Sequence, residues 1–254
     1  MGFIIFDGEM IMAKVVVGLS GGVDSAVCAY LLKKEGYEVI GVTLNMQRCE
    51  EASYAEDDEK DDALRVAKSL DIPFYRIDCG KEFHDKVSSP FVKGYISGFT
   101  PSPCIECNRY VKWQRLIDHA DQIGAEYVAT GHYSRIIKLD NGRYTVKKAV
   151  NTKKDQTYML YKLTQEQLAR TLMPLGEFDK EEVREIAKQA GIPVADKADS
   201  QEICFVTDGH YSDYVRENAG FEIDDSGYFT DPEGNILGKH KGIINYTVGQ
   251  RKGL

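Results

Sequence analysis

Residues Lys14–Gly18 form a short β-branched run that predicts a strand, and Val23–Lys34 carries a helical pattern that Gly36 ends. Residues 39–44 predict the next strand, and an acidic, polar stretch over residues 50–58 separates it from a helical pattern at residues 60–70. Phe74–Asp78 reads as a third strand and residues 125–130 as a later one. Strand and helix in alternation predict an α/β fold, a parallel sheet with helices on both faces. Residues 134–150, centred on Asn141-Gly142, carry a hairpin signal. A further helix is well punctuated: Asp179 caps it, Glu182 completes a capping box, and Gly191 followed by Pro193 stops it. From about His210 the character changes. Asp224-Asp225-Ser226-Gly227 and Asp231-Pro232-Glu233-Gly234-Asn235 are turn-rich, with short β-like pieces between them. A boundary is therefore expected near residue 208, dividing a domain over 1–207 from a small, partial, β-rich second domain over 208–254. Met12 begins a tidier strand than the residues before it, so residues 1–11 read as an extension or a misassigned start. There are no repeats and no low-complexity tract.

A length of 254 residues agrees with one large domain and a small appendage. Hydrophobic residues at 43% and charged residues at 28% are ordinary for a soluble, well-cored protein. No apolar run approaches the roughly 18 residues that span a bilayer. The opening segment lacks a basic n-region and is interrupted by Asp7 and Glu9, so it does not read as a signal peptide. A cytoplasmic chain without a membrane partner is the expectation. Six cysteines are then expected to be mostly reduced. A net charge of −8 speaks against indiscriminate nucleic-acid binding but leaves room for a local basic face.

Between the first strand and first helix lies Gly18-Leu19-Ser20-Gly21-Gly22-Val23-Asp24-Ser25. A parallel α/β sheet places anion sites there, because free backbone N–H groups and the helix dipole point at the ligand. Gly21 and Gly22 allow positive φ and close approach, Ser20 and Ser25 can donate to phosphate oxygens, and Asp24 can hold a magnesium ion. The Gly-Lys-Ser/Thr ending of the common nucleotide P-loop is missing. A glycine-rich turn alone is more often a plain turn, but here the whole Ser-Gly-Gly-Val-Asp-Ser string sits between strand and helix. It resembles the pyrophosphatase loop of the N-type ATP pyrophosphatases. That resemblance implies an adenine nucleotide alpha hydrolase-like fold, ATP and Mg2+ as cofactors, and cleavage of ATP to AMP and pyrophosphate.

Cys104 and Cys107 stand in a proline-rich loop leading into a helix, Thr100-Pro101-Ser102-Pro103-Cys104-Ile105-Glu106-Cys107-Asn108, and Cys204 stands far downstream. A Cys-x-x-Cys pair alone is ambiguous among zinc, redox and cluster chemistry. A thiol at a helix N-terminus is expected to have a lowered pKa. Cys28, mid-helix among apolar neighbours, reads as core, and the same reading is favoured for Cys49 and Cys79.

With Ala129-Thr130-Gly131-His132-Tyr133, Lys154-Asp155-Gln156-Thr157-Tyr158, Glu202-Ile203-Cys204-Phe205 and the closing Tyr246-Thr247-Val248-Gly249-Gln250-Arg251-Lys252-Gly253-Leu254, these strings make the chain similar to the tRNA 2-thiouridylase family. The resemblance implies adenylation of the C2 oxygen of the wobble uridine and its replacement by sulfur. It gives Gly18, Leu19, Ser20, Gly21, Gly22, Val23, Asp24, Ser25, Met46 and Gly131 to ATP. Cys107 takes the place of the catalytic cysteine and Cys204 that of the persulfide carrier. Ser102, Pro103 and Cys104 match the segment that meets the target base, and His132, Lys154, Asp155 and Gln156 match tRNA contacts.

Two departures stand out. Many members have Asp where this chain has Cys104, and members continue into a β-barrel that grips tRNA, whereas this sequence stops at Leu254 inside a motif. Two sulfur schemes stay open. In one, Cys204 takes sulfur from a donor and Cys107 releases it. In the other, Cys104, Cys107 and Cys204 hold a 4Fe-4S cluster, which the third cysteine favours. The donor is a sulfur-relay protein, a cysteine desulfurase or hydrosulfide. Arg109, Lys112 and Arg115, then Lys147, Lys148, Lys153 and Lys154, then Lys239, Lys241, Arg251 and Lys252 are the candidates for the basic face that tRNA requires; each cluster alone reads as an ordinary solvated face, and nearness to the motifs raises the RNA reading. The competing readings are a related ATP pyrophosphatase thiolating another tRNA position or a small molecule, and a non-catalytic sulfur-carrier or nucleotide-sensing module.

Overall fold

A computed structural model of the chain describes residues 3–6, 9–46, 61–199, 203–206 and 210–253. Cys49, the acidic stretch over 50–58, the 200–202 part of the Cys204 motif, the boundary expected near 208 and Leu254 lie outside the described residues. Strands β1 (Phe3–Phe6) and β2 (Glu9–Met12) pair with each other, antiparallel. The core sheet begins with β3 (Lys14–Gly18), two residues after the strand start expected at Met12. It is followed by α1 (Val23–Lys34), β4 (Glu38–Asn45), α2 (Asp62–Ser69) and β5 (Phe74–Asp78). Next come α3 (Gly80–Phe83) and α4 (Ser89–Ile96), joined by a π-helical turn, then α5 (Pro103–Cys107) and α6 (Trp113–Ile123), joined by another. Strand β6 (Tyr127–Ala129), the hairpin β7 (Ser134–Lys138) and β8 (Tyr144–Lys148), α7 (Gln165–Ala169), β9 (Thr171–Leu172) and α8 (Lys180–Gln189) complete the larger part.

Five strands form one parallel sheet in the order β5-β4-β3-β6-β9. Its faces are separated by the period of two in β3. Val15 and Val17 pack towards α1, α2 and α8 through Ala26, Val27, Val66, Val183 and Ala187. Val16 points the other way, towards Trp113, Leu116 and Ile117 of α6. Helices therefore cover both faces, as the alternation of elements predicts. Trp113 is fully buried, and its Nε1 donates to Thr171 Oγ1 at 2.7 Å, anchoring the two-residue β9 that hydropathy alone does not reveal.

The local signals hold. Asp179 and Glu182 form both halves of a capping box on α8, and Gly142 supplies the positive φ of +81° in the β7–β8 turn. The C-terminal region is not wholly β-like: it opens with the helix α9 (Tyr211–Asn218) before the hairpin β10 (Tyr228–Thr230) and β11 (Ile236–Lys239). It shares a buried cluster with the larger part, where Val215 and Ile244 meet Phe83, Phe91 and Val92. Among the described residues no helix is long and apolar enough to cross a membrane.

Candidate functional site

The loop from Gly18 to Ser25 leaves the C-terminal end of β3 and turns into α1. Gly21 has φ +71°, and a Cβ on it would lie 3.0 Å from Asp62 Cβ, so both the conformation and the space call for glycine. The Ser25 hydroxyl accepts from the Ser20 N–H at 3.1 Å and donates to the Gly22 carbonyl at 3.0 Å. It is thus engaged in shaping the loop, whereas the sequence suggests a phosphate donor. Gly131 sits where only glycine fits: a Cβ there would come 2.7 Å from both Asp24 C and Ser25 N.

Asp24 stands at the head of an ionic network. Its Oδ1 accepts from the Tyr133 hydroxyl at 2.7 Å and from Lys180 Nζ at 2.7 Å. Lys180 also reaches Asp199 Oδ1 at 2.8 Å, and Asp199 takes Arg184 at 2.9 Å and Lys154 at 3.4 Å. Burial pushes the Asp199 carboxyl up, but bonds and charge from Lys180, Lys154 and Arg184 win and hold it below the usual carboxylate range. Burial, then the charge of Asp24, raises the Tyr133 phenol. Neither Lys180 nor Asp199 stands out in sequence, since 156 positions separate Lys180 from Asp24.

A cleft of about 480 Å³ opens beside this network, within the usual size range of ligand pockets. Its lining includes Gly18, Leu19, Ser20, Asp24, Ser25, Met46, Gly131, His132 and Gln156 of the expected positions, together with Lys112 and Phe205. Gly21, Gly22 and Val23 lie behind the lining, with Gly21 and Val23 buried. His132 is buried, its ring 5.5 Å from Trp113 and its Nδ1 2.8 Å from Thr130 Oγ1, and burial keeps it uncharged. Gln156 accepts from the Tyr133 N–H at 3.0 Å and Asp155 from the Ala149 N–H at 3.0 Å, so both side chains also build the loop that carries exposed Lys154.

Cys204 belongs to this cleft and also to an adjoining cavity of about 80 Å³ that Cys104 and Cys107 line, with Met46, Lys112 and Phe205 common to both. Ser102 and Cys104 are exposed and Pro103 is buried. Phe205 anchors Cys204 by packing its ring 5.2 Å from Phe83 and 5.3 Å from Phe91. Cys107 is buried, its Sγ 3.9 Å from Met46 Sδ. Burial pushes the Cys107 thiol up to about 11 in spite of nearby Lys112, contrary to the lowering that a helix N-terminus suggests. The reason is placement: Cys107 stands a full turn inside the helical run that starts at Pro103, and it faces the core. Cys204 is exposed at its surface, yet partial loss of solvent inside the cleft raises its thiol too. Cys28 and Cys79 are buried, as a core reading requires. The three cleft thiols are near enough to influence one another, and thiolates suit a cluster in kind. Among the described residues, however, no three His, Cys, Asp or Glu side chains converge as a ready metal site.

The chain matches the family model described as the tRNA methyl transferase HUP domain over residues 13–208, and that of the tRNA methyl transferase PRC-barrel domain over residues 213–254. The tRNA-specific 2-thiouridylase MnmA of Lachnoclostridium phytofermentans is 56% identical over 250 residues, covering 96% of this chain and 70% of that protein. Its counterpart in Clostridioides difficile is 51% identical over 247 residues, covering 95% of this chain and 68% of that protein. Among solved structures, the U34-tRNA thiolase NcsA from Methanococcus maripaludis with its 4Fe-4S cluster aligns with 82% of this chain and 67% of its own, at 19% identity and a TM-score of 0.45. The models are named for methyl transfer and the relatives for thiolation. With half its residues shared with such relatives along nearly its whole length, the chain belongs to the tRNA-specific 2-thiouridylase family.

Proposed function

We propose that this protein is an ATP-dependent tRNA-uridine 2-sulfurtransferase. The observation that carries the reading is the shared wall of the two cavities: the glycine loop with Asp24 lines the cleft, Cys104 and Cys107 line the adjoining cavity, and Cys204 lines both. An adenylating loop facing thiols suits sulfur insertion better than methyl transfer. The uridine C2 oxygen attacks the α-phosphorus of ATP and pyrophosphate leaves, so that a poor leaving group becomes AMP. The loop N–H groups hold the phosphates. The Gly131–loop contact fits a backbone cradle, and Asp24, with both of its bonds on Oδ1, would hold magnesium, which supplies charge neutralisation on the phosphates. Gly131→Ala is expected to displace the loop and lower tRNA-dependent pyrophosphate release by about a hundredfold. The assay is paired with a thermal melt to show that the variant folds.

For sulfur delivery, exposed Cys204 receives a sulfane sulfur from the donor, forming Cys204–S–SH. The Cys107 thiolate attacks the Cys204 sulfur, releasing hydrosulfide and leaving a Cys107–Cys204 disulfide for a dithiol reductant to open. Hydrosulfide adds at C2, and AMP leaves with the former O2. The second reading, a 4Fe-4S cluster on Cys104, Cys107 and Cys204, is favoured by the third thiol on the cavity wall. Among the described residues, however, these three do not converge as a ready metal site.

Cys104→Ala separates the two. The persulfide route predicts that the variant, prepared and assayed without oxygen, keeps thiolation within about threefold of the parent, because only a neighbour that tunes thiol pKa is lost. Joint loss of iron, sulfide and thiolation, with adenylation intact, would install the cluster instead. The sulfurtransferase reading itself is tested by nucleoside mass spectrometry of tRNA after incubation with ATP and a sulfur donor. Pyrophosphate release that ignores tRNA would point to a small-molecule substrate, and none at all to a carrier module.

A further inference from the structure

The short segment from Thr157 to Lys162 buries Met159 and Leu160 and leaves Tyr158 and Tyr161 62% and 65% exposed. Local hydropathy does not require this, and two rings presented to water beside a catalytic cleft mark a contact surface. The segment is fixed to the cysteine-bearing helices: Asn108 Nδ2 donates to the Met159 carbonyl at 3.1 Å, and Met159 itself lines the thiol cavity. Two residues after Asn108, Tyr110 is 43% exposed, with the Arg109 guanidinium 5.2 Å and Lys86 Nζ 6.0 Å from its ring centre. Lys162, whose ammonium is bonded to Glu106, lies within electrostatic reach of both the Tyr161 and Tyr110 hydroxyls. Tyr110 and Tyr161 thus have cations close by, and Tyr158 is the chain neighbour of Met159, which lines the cavity that holds Cys104 and Cys107, on a protein whose net charge is −8.

We propose that Tyr110, Tyr158 and Tyr161 form a stacking platform for unpaired bases of a single-stranded RNA loop, holding the bases that flank the target uridine while that uridine enters the cleft. The proposal rests on the tRNA reading above and adds the recognition device. Unpaired bases stack on aromatic and guanidinium faces, and the cations near the rings meet the phosphates that link those bases. A rigid duplex could not use such rings, whose faces are accessible only to bases already free of pairing. Stacking also tolerates sequence change, so the platform would accept several loops that share one target position.

The test is equilibrium binding of an RNA hairpin carrying the anticodon stem and loop, with 2-aminopurine in place of a base next to the target uridine. The parent protein is expected to change the 2-aminopurine fluorescence on binding, as stacking on a ring does. Tyr158→Ala and Tyr161→Ala are each expected to weaken binding by about tenfold and to reduce that change, while Tyr→Phe at either position restores both. ATP affinity, measured on the same samples, stays within about twofold because neither ring lines the nucleotide cleft. Unchanged hairpin affinity and fluorescence in the double Ala variant would overturn the platform and leave the sulfurtransferase reading standing. Slower sulfur loading with unchanged hairpin binding would give the face to the sulfur donor and also overturn it. A parent protein that binds no hairpin would remove the tRNA reading and the platform together.

Discussion

Cys204→Ser is expected to leave tRNA-dependent pyrophosphate release intact while lowering 2-thiouridine formation by about three orders of magnitude or more. A serine hydroxyl can carry no persulfide, so the first covalent step is lost. The proposed adenylating loop keeps its own contacts, none of which involves Cys204. Cys107→Ser is expected to match it in the steady state but to differ in one respect. Its Cys204 still accepts sulfur, and intact-protein mass spectrometry should find the persulfide accumulating. Pyrophosphate release that collapses with thiolation in both variants would show that the thiols shape the nucleotide site, and would sink the division of labour.

The same pair carries a pH dependence. The Cys107 thiol, pushed up to about 11 by burial, is protonated at neutral pH, and in the proposed persulfide route the charged thiolate is the attacking form. Below the pKa the thiolate fraction rises about tenfold for each pH unit. Single-turnover sulfur release from persulfidated Cys204 should therefore climb steeply between pH 7 and 9 on a logarithmic scale. A flat profile over that window would show that deprotonation of Cys107 does not limit the step.

Asp24→Ala is the second large effect. Loss of its carboxylate removes the proposed magnesium ligand and the acceptor of Tyr133 and Lys180, and pyrophosphate release is expected to fall by roughly 10²- to 10³-fold. The fold should survive, because Lys180 keeps Asp199 at 2.8 Å and so is not left as an unpaired buried charge. Asp24→Asn keeps the shape and an acceptor for Tyr133, yet lacks the charge. It is expected to track the alanine variant in rate while melting closer to the parent. Near-normal release by a folded Asp24→Asn protein would take the charge of Asp24 out of the reaction.

What the amino-acid sequence determined by itself is local. The Gly18–Ser25 loop, the Asp179–Glu182 capping box and the Asn141-Gly142 turn are legible because each needs only residues a few positions apart in particular conformations. The β-branched run at Lys14–Gly18 is legible because a strand buried on both faces admits little else. Strand β9 and helix α9 escaped for the converse reason. β9 has two residues, held by the bond from distant Trp113 to Thr171, and α9 shows its buried face only once Val215 meets the cluster around Phe91.

Tertiary structure alone decided how the groups of the site are placed and tuned. Cys104 and Cys107 share a cavity with Cys204 because Phe205 is clamped between Phe83 and Phe91, and none of these distances is encoded in spacing. The thiol of Cys107 moved upward where the helix-start pattern suggested downward, since desolvation depends on every neighbour that excludes water and the helix end is only one of them. The chain Asp24–Lys180–Asp199 likewise exists only in the fold. Its charges are ordinary in sequence and become a network because α8 packs beside α1, within Coulombic reach of the loop.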